Sequence, residues 1–484
     1  MKCTYSERWG EEPLFPYQER TIEFLTHGKS GLIKDRMSGT TIQVVASSAG
    51  RGVCDIDPGL GKSRIAIGAY VELCAGEKLL VACSKKALNT WRRELPKWTT
   101  LTSDDVTIVE GSPAVRAALW KRPSTVKVIT FQSGMRDEAA IKAFGPTMII
   151  GDEIKLMRNR KTQAFKFWAP IMHKVKYVIP MDGTLVSKGP EDLWTFLNII
   201  KPKTFNSFWK YANAFCLIVD GPFGKEFCGP KNTQGLANML SHNLVRIRDN
   251  DPQVQGQRPP LLRDFKLVDL TGEQGKIYDE LVKDLLLMTP GGDIVATPSQ
   301  LALTVRLRQL LICPKILDPA YGIGGAVEQL LLELEDDPHG VIFTPFTKAI
   351  PHIREAMVKA GHDEPFVLQG GTASAVVGDV EKAFNSSAGS SRSCICSIGF
   401  AESFELYTAK QGHFIGYEWA QRLNYQAEKR LHRLITPHPV NIWYYRYVGT
   451  TDDDILDNLN DRQHKVNLTF QDYIAAIRRL RNKD

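Results

Sequence analysis

Phosphoryl transfer needs a cation held in a glycine-rich turn and carboxylates at the end of a buried strand, and this sequence carries both. Residues Asp57 to Ser63 read DPGLGKS and run directly into an amphipathic stretch. Gly59 and Gly61 let the backbone turn tightly, so that successive N–H groups and the positive end of the following helix face a phosphate. Pro58, Gly59, Leu60, Gly61, Lys62, Ser63 and Arg64 are therefore the expected nucleotide-binding run. Lys62 would reach the β- and γ-phosphates and the Ser63 hydroxyl would ligand Mg²⁺. The full GxxxxGK[ST] pattern places Gly five positions before Gly61, and Ile56 stands there instead; by itself the turn also fits a plain strand-to-helix loop.

The matching acids close the run TMIIGDE. Asp152 can hold Mg²⁺ through water, and Glu153 can orient or deprotonate the attacking water. Four apolar residues precede the pair, which aims both carboxylates at the carboxyl edge of a sheet, where α/β folds bind ligands. In the second half, QAEKRLHR (426–433) puts Gln426, Arg430 and Arg433 at helical spacings of four and three, on one face. Two guanidiniums there could stabilise transition-state charge, whereas the plain alternative is a solvated basic face.

These groups require a parallel α/β framework. Strand-sized apolar runs at 78–83, 126–131, 147–151 and 177–181 alternate with helical patterns such as 63–75 and 86–95, and the alternation resumes at 340–346, 366–369, 393–398, 412–417 and 441–448. The 251–260 stretch DPQVQGQRPP reads as a linker, and the Gly/Ser-rich 385–393 as a flexible loop. A length of 484 residues, 43% hydrophobic and 24% charged, fits two to four soluble domains and excludes wholesale disorder. No apolar run approaches the roughly 20 residues of a membrane span. Nine scattered cysteines without a CxxC pair read as reduced thiols in a cytoplasmic protein, and Cys394/Cys396 as a buried strand rather than a zinc half-site. Trp443, Tyr444, Tyr445 and Tyr447 read as core. The net charge of +7 is uneven: residues 1–250 carry 36 Lys+Arg against 24 Asp+Glu, and 251–484 carry 25 against 30. The +12 half suits a polyanionic partner.

The order of motifs resembles the superfamily 2 nucleic-acid motors, and within them the Swi/Snf-like branch, from about Phe15 to Ile455. FPYQ with Gln18 looks like the adenine-reading element, DPGLGKS like motif I, and LLVACSKKALNTWRREL, with Trp91 and Glu94, like motif Ia. DEIKLMRN resembles an extended motif II with Arg158 and Asn159 in its last places. MDGTLVSKGPEDLW is similar to motif III with its acidic-Leu-Trp signature. RQLLICP (308–314), GVIFTPF, the Trp419-to-Arg433 spacing and VGTTDDDI (448–455) resemble the corresponding strings of the second lobe. The resemblance implies two tandem RecA-like parallel-sheet lobes with helical insertions. The first would cover 1–245 with an insertion from about 195, the linker 246–265, and the second 266–484 with an insertion at 266–335. It also implies ATP and Mg²⁺ as cofactors, Lys62, Asp152, Glu153, Gln426, Arg430 and Arg433 as catalytic groups, and backbone contacts to double-stranded DNA, without sequence preference, from Ser84, Lys85, Lys86, Ser133 and Thr344.

Departures fall among the elements that couple the ATP state to DNA grip. Lys155 takes the place of a His, Asp182 that of a Thr, and Leu185 that of a Pro. Ala401 and Ser403 stand where motif V has glycines, and Ile435 and Thr436 replace a Gly-Gln. The expected activity is a DNA-dependent ATPase that translocates along DNA. A strand-separating or annealing helicase and a catalytically weak ATP-dependent clamp are the alternatives. The compact length suits a phage or mobile-element protein acting in the host cytoplasm.

Overall fold

The computed structural model describes residues 3–27, 31–34, 41–44, 49–186, 189–221, 224–287, 298–386, 392–401, 404–418, 421–433, 436–447, 450 and 452. Outside them lie Lys188, Ser403, Trp419, Ile435, residues 387–391 of the Gly/Ser-rich stretch and most of the 448–455 string. The chain divides into two compact units between Gln255 and Gly256.

The first unit is built on seven strands: β1 (Val53–Ile56), β2 (Leu79–Cys83), β3 (Val106–Val109), β4 (Val126–Thr130), β5 (Met148–Asp152), β6 (Tyr177–Asp182) and β7 (Leu244–Ile247). Their order is β7-β1-β6-β5-β2-β4-β3, with every pairing parallel. β2, β4 and β5 are buried on both faces, as continuous apolar strands of a helix-covered parallel sheet must be. Lys127 lies within β4 at 0% exposure. It is tolerated because its Nζ donates to the carbonyls of Leu119 (3.0 Å) and Arg122 (2.7 Å), just past a helix end. Because all seven strands run the same way, the segments that follow them emerge on one edge of the sheet.

The second unit has six parallel strands: β8 (Leu261–Leu267), β9 (Gly340–Thr344), β10 (Phe366–Leu368), β11 (Cys394–Ser397), β12 (Gln411–Phe414) and β13 (Val440–Arg446), ordered β8-β13-β12-β9-β11-β10. Tyr445 and Tyr447 are buried in its core, and Cys394 and Cys396 are buried in β11.

Sequence reading missed β1, β3, β7 and β8: VCDI, LVRI and LLRDFKL interrupt the apolar run with charge, and β3, VTIV, is only four residues long. Each interruption is paired. Asp55 meets Arg248 and Arg246, and Arg263 grips Glu428 through two bonds of 2.9 and 2.7 Å. The segment expected as a linker, 246–265, is consequently shorter, since Arg246 and Ile247 belong to β7 and Leu261 to Phe265 to β8. The insertion after 195 is only partly helical: Cys216–Gly221 and Gly224–Pro230 form an antiparallel hairpin. No helix among the described residues is long and apolar enough to cross a membrane.

Candidate functional site

β1 delivers the chain to the DPGLGKS turn. Gly59 and Gly61 adopt φ of 83° and 79°, the left-handed region that favours glycine. At Gly61 a Cβ would also stand 2.3 Å from Gln18 Nε2. The helix α1 (Lys62–Cys74) begins immediately, with Gly61 as its N-cap. Lys62 folds back so that its Nζ donates to the Ile56 carbonyl at 2.7 Å. Burial pushes this ammonium toward the neutral form, and Asp152, Asp182, Asp57 and Glu153 oppose the shift. Ile56, where the full pattern has glycine, thus acts through its carbonyl while its side chain is buried in the core.

Gln18 is buried against the same turn. Its Nε2 donates to the Leu60 carbonyl (3.1 Å) and its Oε1 accepts from the Phe15 N–H (3.1 Å). Tyr17 donates to the same Leu60 carbonyl at 3.2 Å. Arg64 requires a correction. Its guanidinium lies 3.9 Å from the Trp98 ring centroid and 4.8 Å from that of Trp9, and it donates to the carbonyls of Glu12 and Trp9. The guanidinium fixes the N-terminal segment to α1, so any part Arg64 takes in nucleotide binding falls to its backbone N–H.

Asp152 closes β5 and Asp182 closes β6. Trp91, fully buried in the helix α2 (Leu88–Trp98), donates its Nε1 to Asp152 Oδ2 at 2.9 Å. Burial raises the Asp152 carboxyl above its usual range and Asp182 adds to this, while the Trp91 bond and Lys62 pull it down. Glu153 sits at φ 55°, ψ 52°, a left-handed conformation rare for a non-glycine. Asp182 is 1% exposed and accepts from the N–H of Lys155 (2.9 Å) and of Thr184 (3.0 Å). The two departures at 155 and 182 therefore touch. Arg158 locks the same turn by donating to the carbonyls of Leu185 (2.8 Å) and Thr184. The residues present fit a magnesium-bound phosphate chain: a lysine held in the turn by a single carbonyl, a hydroxyl at Ser63, and buried carboxylates acting electrostatically on that lysine.

Ser84, Lys85 and Lys86 follow β2, and Ser133 follows β4. These strands pair with Cys83 opposite Thr130, so all four residues emerge side by side on the carboxyl edge, Lys85 exposed and the others half-buried. Thr344 requires a second correction. It is 0% exposed at the end of β9 and closes a turn with the Phe346 N–H (3.3 Å). Thr347 and Lys348 are the exposed residues there, and only the turn itself, a strand followed by TPFTK, could have indicated them.

In the second unit the helix α3 (Gln421–Leu431) carries Gln426 and Arg430, both buried. Arg430 donates to the carbonyls of Gln426 (3.1 Å) and Phe404 (3.3 Å). Arg433 is a third correction: it lies beyond the helix end, because Thr436 Oγ1 caps the chain by donating to the Leu431 carbonyl (2.7 Å) and accepting the Arg433 N–H (2.8 Å). Arg433 pairs with Glu405 at 3.2 Å. Both guanidiniums thus reach the 404–405 segment, although only one is on the helix.

Sequence reading missed a buried cluster at the head of the turn. Asp55, at 0% exposure, bonds Arg248, whose Nη1 also reaches Asp57 Oδ1 at 3.3 Å. Asp57 Oδ2 accepts the Asp249 N–H at 2.9 Å, and Asp55 Oδ1 accepts the Leu185 N–H at 3.4 Å.

Residues 17–316 match the SNF2-related domain, and the chain belongs to that family. It is 25% identical over 422 residues to the SWI/SNF-related matrix-associated actin-dependent regulator of chromatin subfamily A-like protein 1 of Xenopus tropicalis, covering 85% of this chain and 42% of that protein. It is 25% identical over 436 residues to the human DNA annealing helicase and endonuclease ZRANB3, covering 87% and 39%. The chain thus spans less than half the length of these curated relatives. The solved Sulfolobus solfataricus SWI2/SNF2 ATPase core in complex with dsDNA aligns over 96% of this chain and 95% of that one, at 20% identity and a TM-score of 0.44.

Proposed function

We propose that this protein is a DNA-dependent ATPase that uses ATP and Mg²⁺ to translocate along double-stranded DNA or to remodel DNA-bound complexes. The observation that carries the reading is the convergence of Lys62, Asp152 and Glu153 on one sheet edge, in a chain of the SNF2-related family. Lys62 exchanges the Ile56 carbonyl for phosphate oxygens, and the N–H groups of the 58–63 turn orient the phosphate chain. Ser63 and Asp152 would hold Mg²⁺, which when bound would supply charge neutralisation to the phosphates. Glu153 orients the attacking water and accepts its proton. Arg430 and Arg433 leave the 404–405 segment to stabilise the transition state, and Gln426 accompanies them. Gln18, braced on Leu60, couples the base side of the site to the turn.

Ser84, Lys85, Lys86 and Ser133, on the same edge, provide phosphate-backbone contacts, which position DNA without reading its sequence. The nine free cysteines, eight of them buried, support a cytoplasmic protein. The likeness to a human DNA annealing helicase favours a strand-separating or annealing helicase as the second reading. Triplex displacement run beside a forked-duplex unwinding control tests both. Displacement without unwinding is the expected result; unwinding without displacement supports the second reading, and neither activity in a chain that hydrolyses ATP contradicts both.

A further inference from the structure

The chain between the two units is tied at each end to elements of the proposed ATP site. At the upstream end, Arg248 and the Asp249 N–H bond Asp57, the first residue of the phosphate turn. The next residues are held as well. Asp251 Oδ2 accepts the Arg248 N–H at 2.6 Å, Gln253 accepts from Arg20 at 2.6 Å, two residues past Gln18, and Val254 is 1% exposed in the core cluster that contains Leu60.

At the downstream end, His432 Nε2 bonds the Pro259 carbonyl at 2.7 Å. Its Nδ1 lies 3.1 Å from Lys429 Nζ. An ammonium can only donate, so Nδ1 accepts and the proton on Nε2 is directed at Pro259. His432 stands between Arg430 and Arg433. Pro260 is tied in turn by the Val440 N–H at 3.0 Å. What separates the two moorings is Gly256 to Arg258, and Gly256 holds φ 82°, a conformation in which glycine is strongly favoured.

We propose that Arg248 and His432 are positioning residues that make this segment a short coupling strap: Arg248 transmits the state of the phosphate turn to the chain leaving the first unit, and His432 transmits the chain's position to the arginine-bearing end of α3. The inference rests on the ATP reading above. Tension is carried only if the span between the moorings is short, because a flexible linker accommodates movement of either end at small entropic cost.

The test uses the full chain with a Gly/Ser insertion after Gly256, which leaves both moorings and every site residue in place, beside His432→Leu and its conservative partner His432→Gln. The readouts are the nucleotide KM, the DNA-stimulated kcat, and base pairs moved per ATP in triplex displacement. The insertion is expected to leave KM and kcat within about threefold while base pairs moved per ATP fall about fivefold or more, the low end of coupling free energies between linked sites. His432→Leu should lower the same ratio and His432→Gln restore most of it. Unchanged base pairs per ATP in the insertion variant overturns the strap, as does a parallel loss of hydrolysis and movement in His432→Leu with their ratio preserved. Absence of DNA-stimulated hydrolysis in the unaltered chain instead overturns the ATP reading, and the strap with it. Hydrogen exchange of residues 248–260 in the unaltered chain adds a check independent of any variant: added Mg·ATPγS should change protection there, and unchanged exchange at saturating nucleotide contradicts the inference.

Discussion

The phosphate-turn edge of the first unit and the arginine-bearing helix of the second hold their buried charges differently. In the first, four carboxylates, Asp55, Asp57, Asp152 and Asp182, gather around Lys62 and Arg248 at one sheet edge, each with charged or N–H partners. In the second, Arg430 on α3 donates to the carbonyls of Gln426 and Phe404 and Arg308 donates to that of Tyr417, while the buried Glu428 is taken by Arg263. A pocket that must accept a polyphosphate and its metal benefits from preformed, mutually balanced charge that needs little reorganisation. A cation that must be delivered to a transition state is better kept on neutral acceptors, because leaving a carbonyl strands no opposite charge in the interior, whereas leaving a buried carboxylate would. Arg433, on the half-exposed Glu405, is intermediate.

The sharpest way to break this contrast is Arg430→Ala. If the guanidinium is held in reserve for the transition state, DNA-stimulated kcat should fall on the order of 10³-fold, as for other arginine fingers, with nucleotide KM and melting temperature little changed. A fall in stability without a specific loss in kcat would make Arg430 a structural residue. For the first unit, Glu153→Gln should lower kcat on the order of 10²-fold or more by removing the base while nucleotide binding, measured by fluorescence titration, persists.

Much of this contrast was legible in the sequence, and the part that was not has a physical pattern. DPGLGKS and GDE announce themselves because glycine and an apolar strand are requirements of backbone geometry. The strands β1, β7 and β8 escaped because their charges are neutralised by partners distant in sequence: Asp55 meets Arg248, and Arg263 meets Glu428. Such pairings leave no local periodicity. Arg64 misled for a related reason, since its position in the motif says nothing of the indoles of Trp9 and Trp98 on either side. Helical spacing put Arg433 on the face of Arg430, but the Thr436 hydroxyl ends α3 first. At Thr344 the strand and the turn after it were legible, but the residues exposed there, Thr347 and Lys348, were not.

A smaller effect sharpens the assignment of the basic edge. Lys85→Glu should weaken duplex binding by roughly tenfold and reduce the slope of log affinity against log salt by about one, measured by fluorescence anisotropy at several salt concentrations. Lys348→Glu asks the same question of the second unit, where an unchanged affinity would confine the DNA track to the first.

A last comparison separates the units by pH. Burial depresses His413 and His432, both in the second unit, to about 3. The unfolded chain takes up protons on these rings below their ordinary value near 6.5, whereas the folded chain does not until about pH 3. Their neutral burial is therefore fully compatible with stability above pH 6.5, and stability is lost progressively as pH falls from there toward 3, by at most about 1.4 kcal/mol per pH unit for each ring. Calorimetry between pH 7 and 5 should show the second unit's transition moving down, and His413→Gln should flatten that movement. An unmoved transition would mean that the folded protein takes up these protons as readily as the unfolded chain does.

The most direct test of the central claim is steady-state ATP hydrolysis by the full chain with and without duplex DNA, for the unaltered protein and Lys62→Ala, with circular dichroism confirming that both are folded. The account predicts stimulation by duplex DNA in the first and no stimulated hydrolysis in the second. Hydrolysis indifferent to DNA, or preserved in Lys62→Ala, would contradict it.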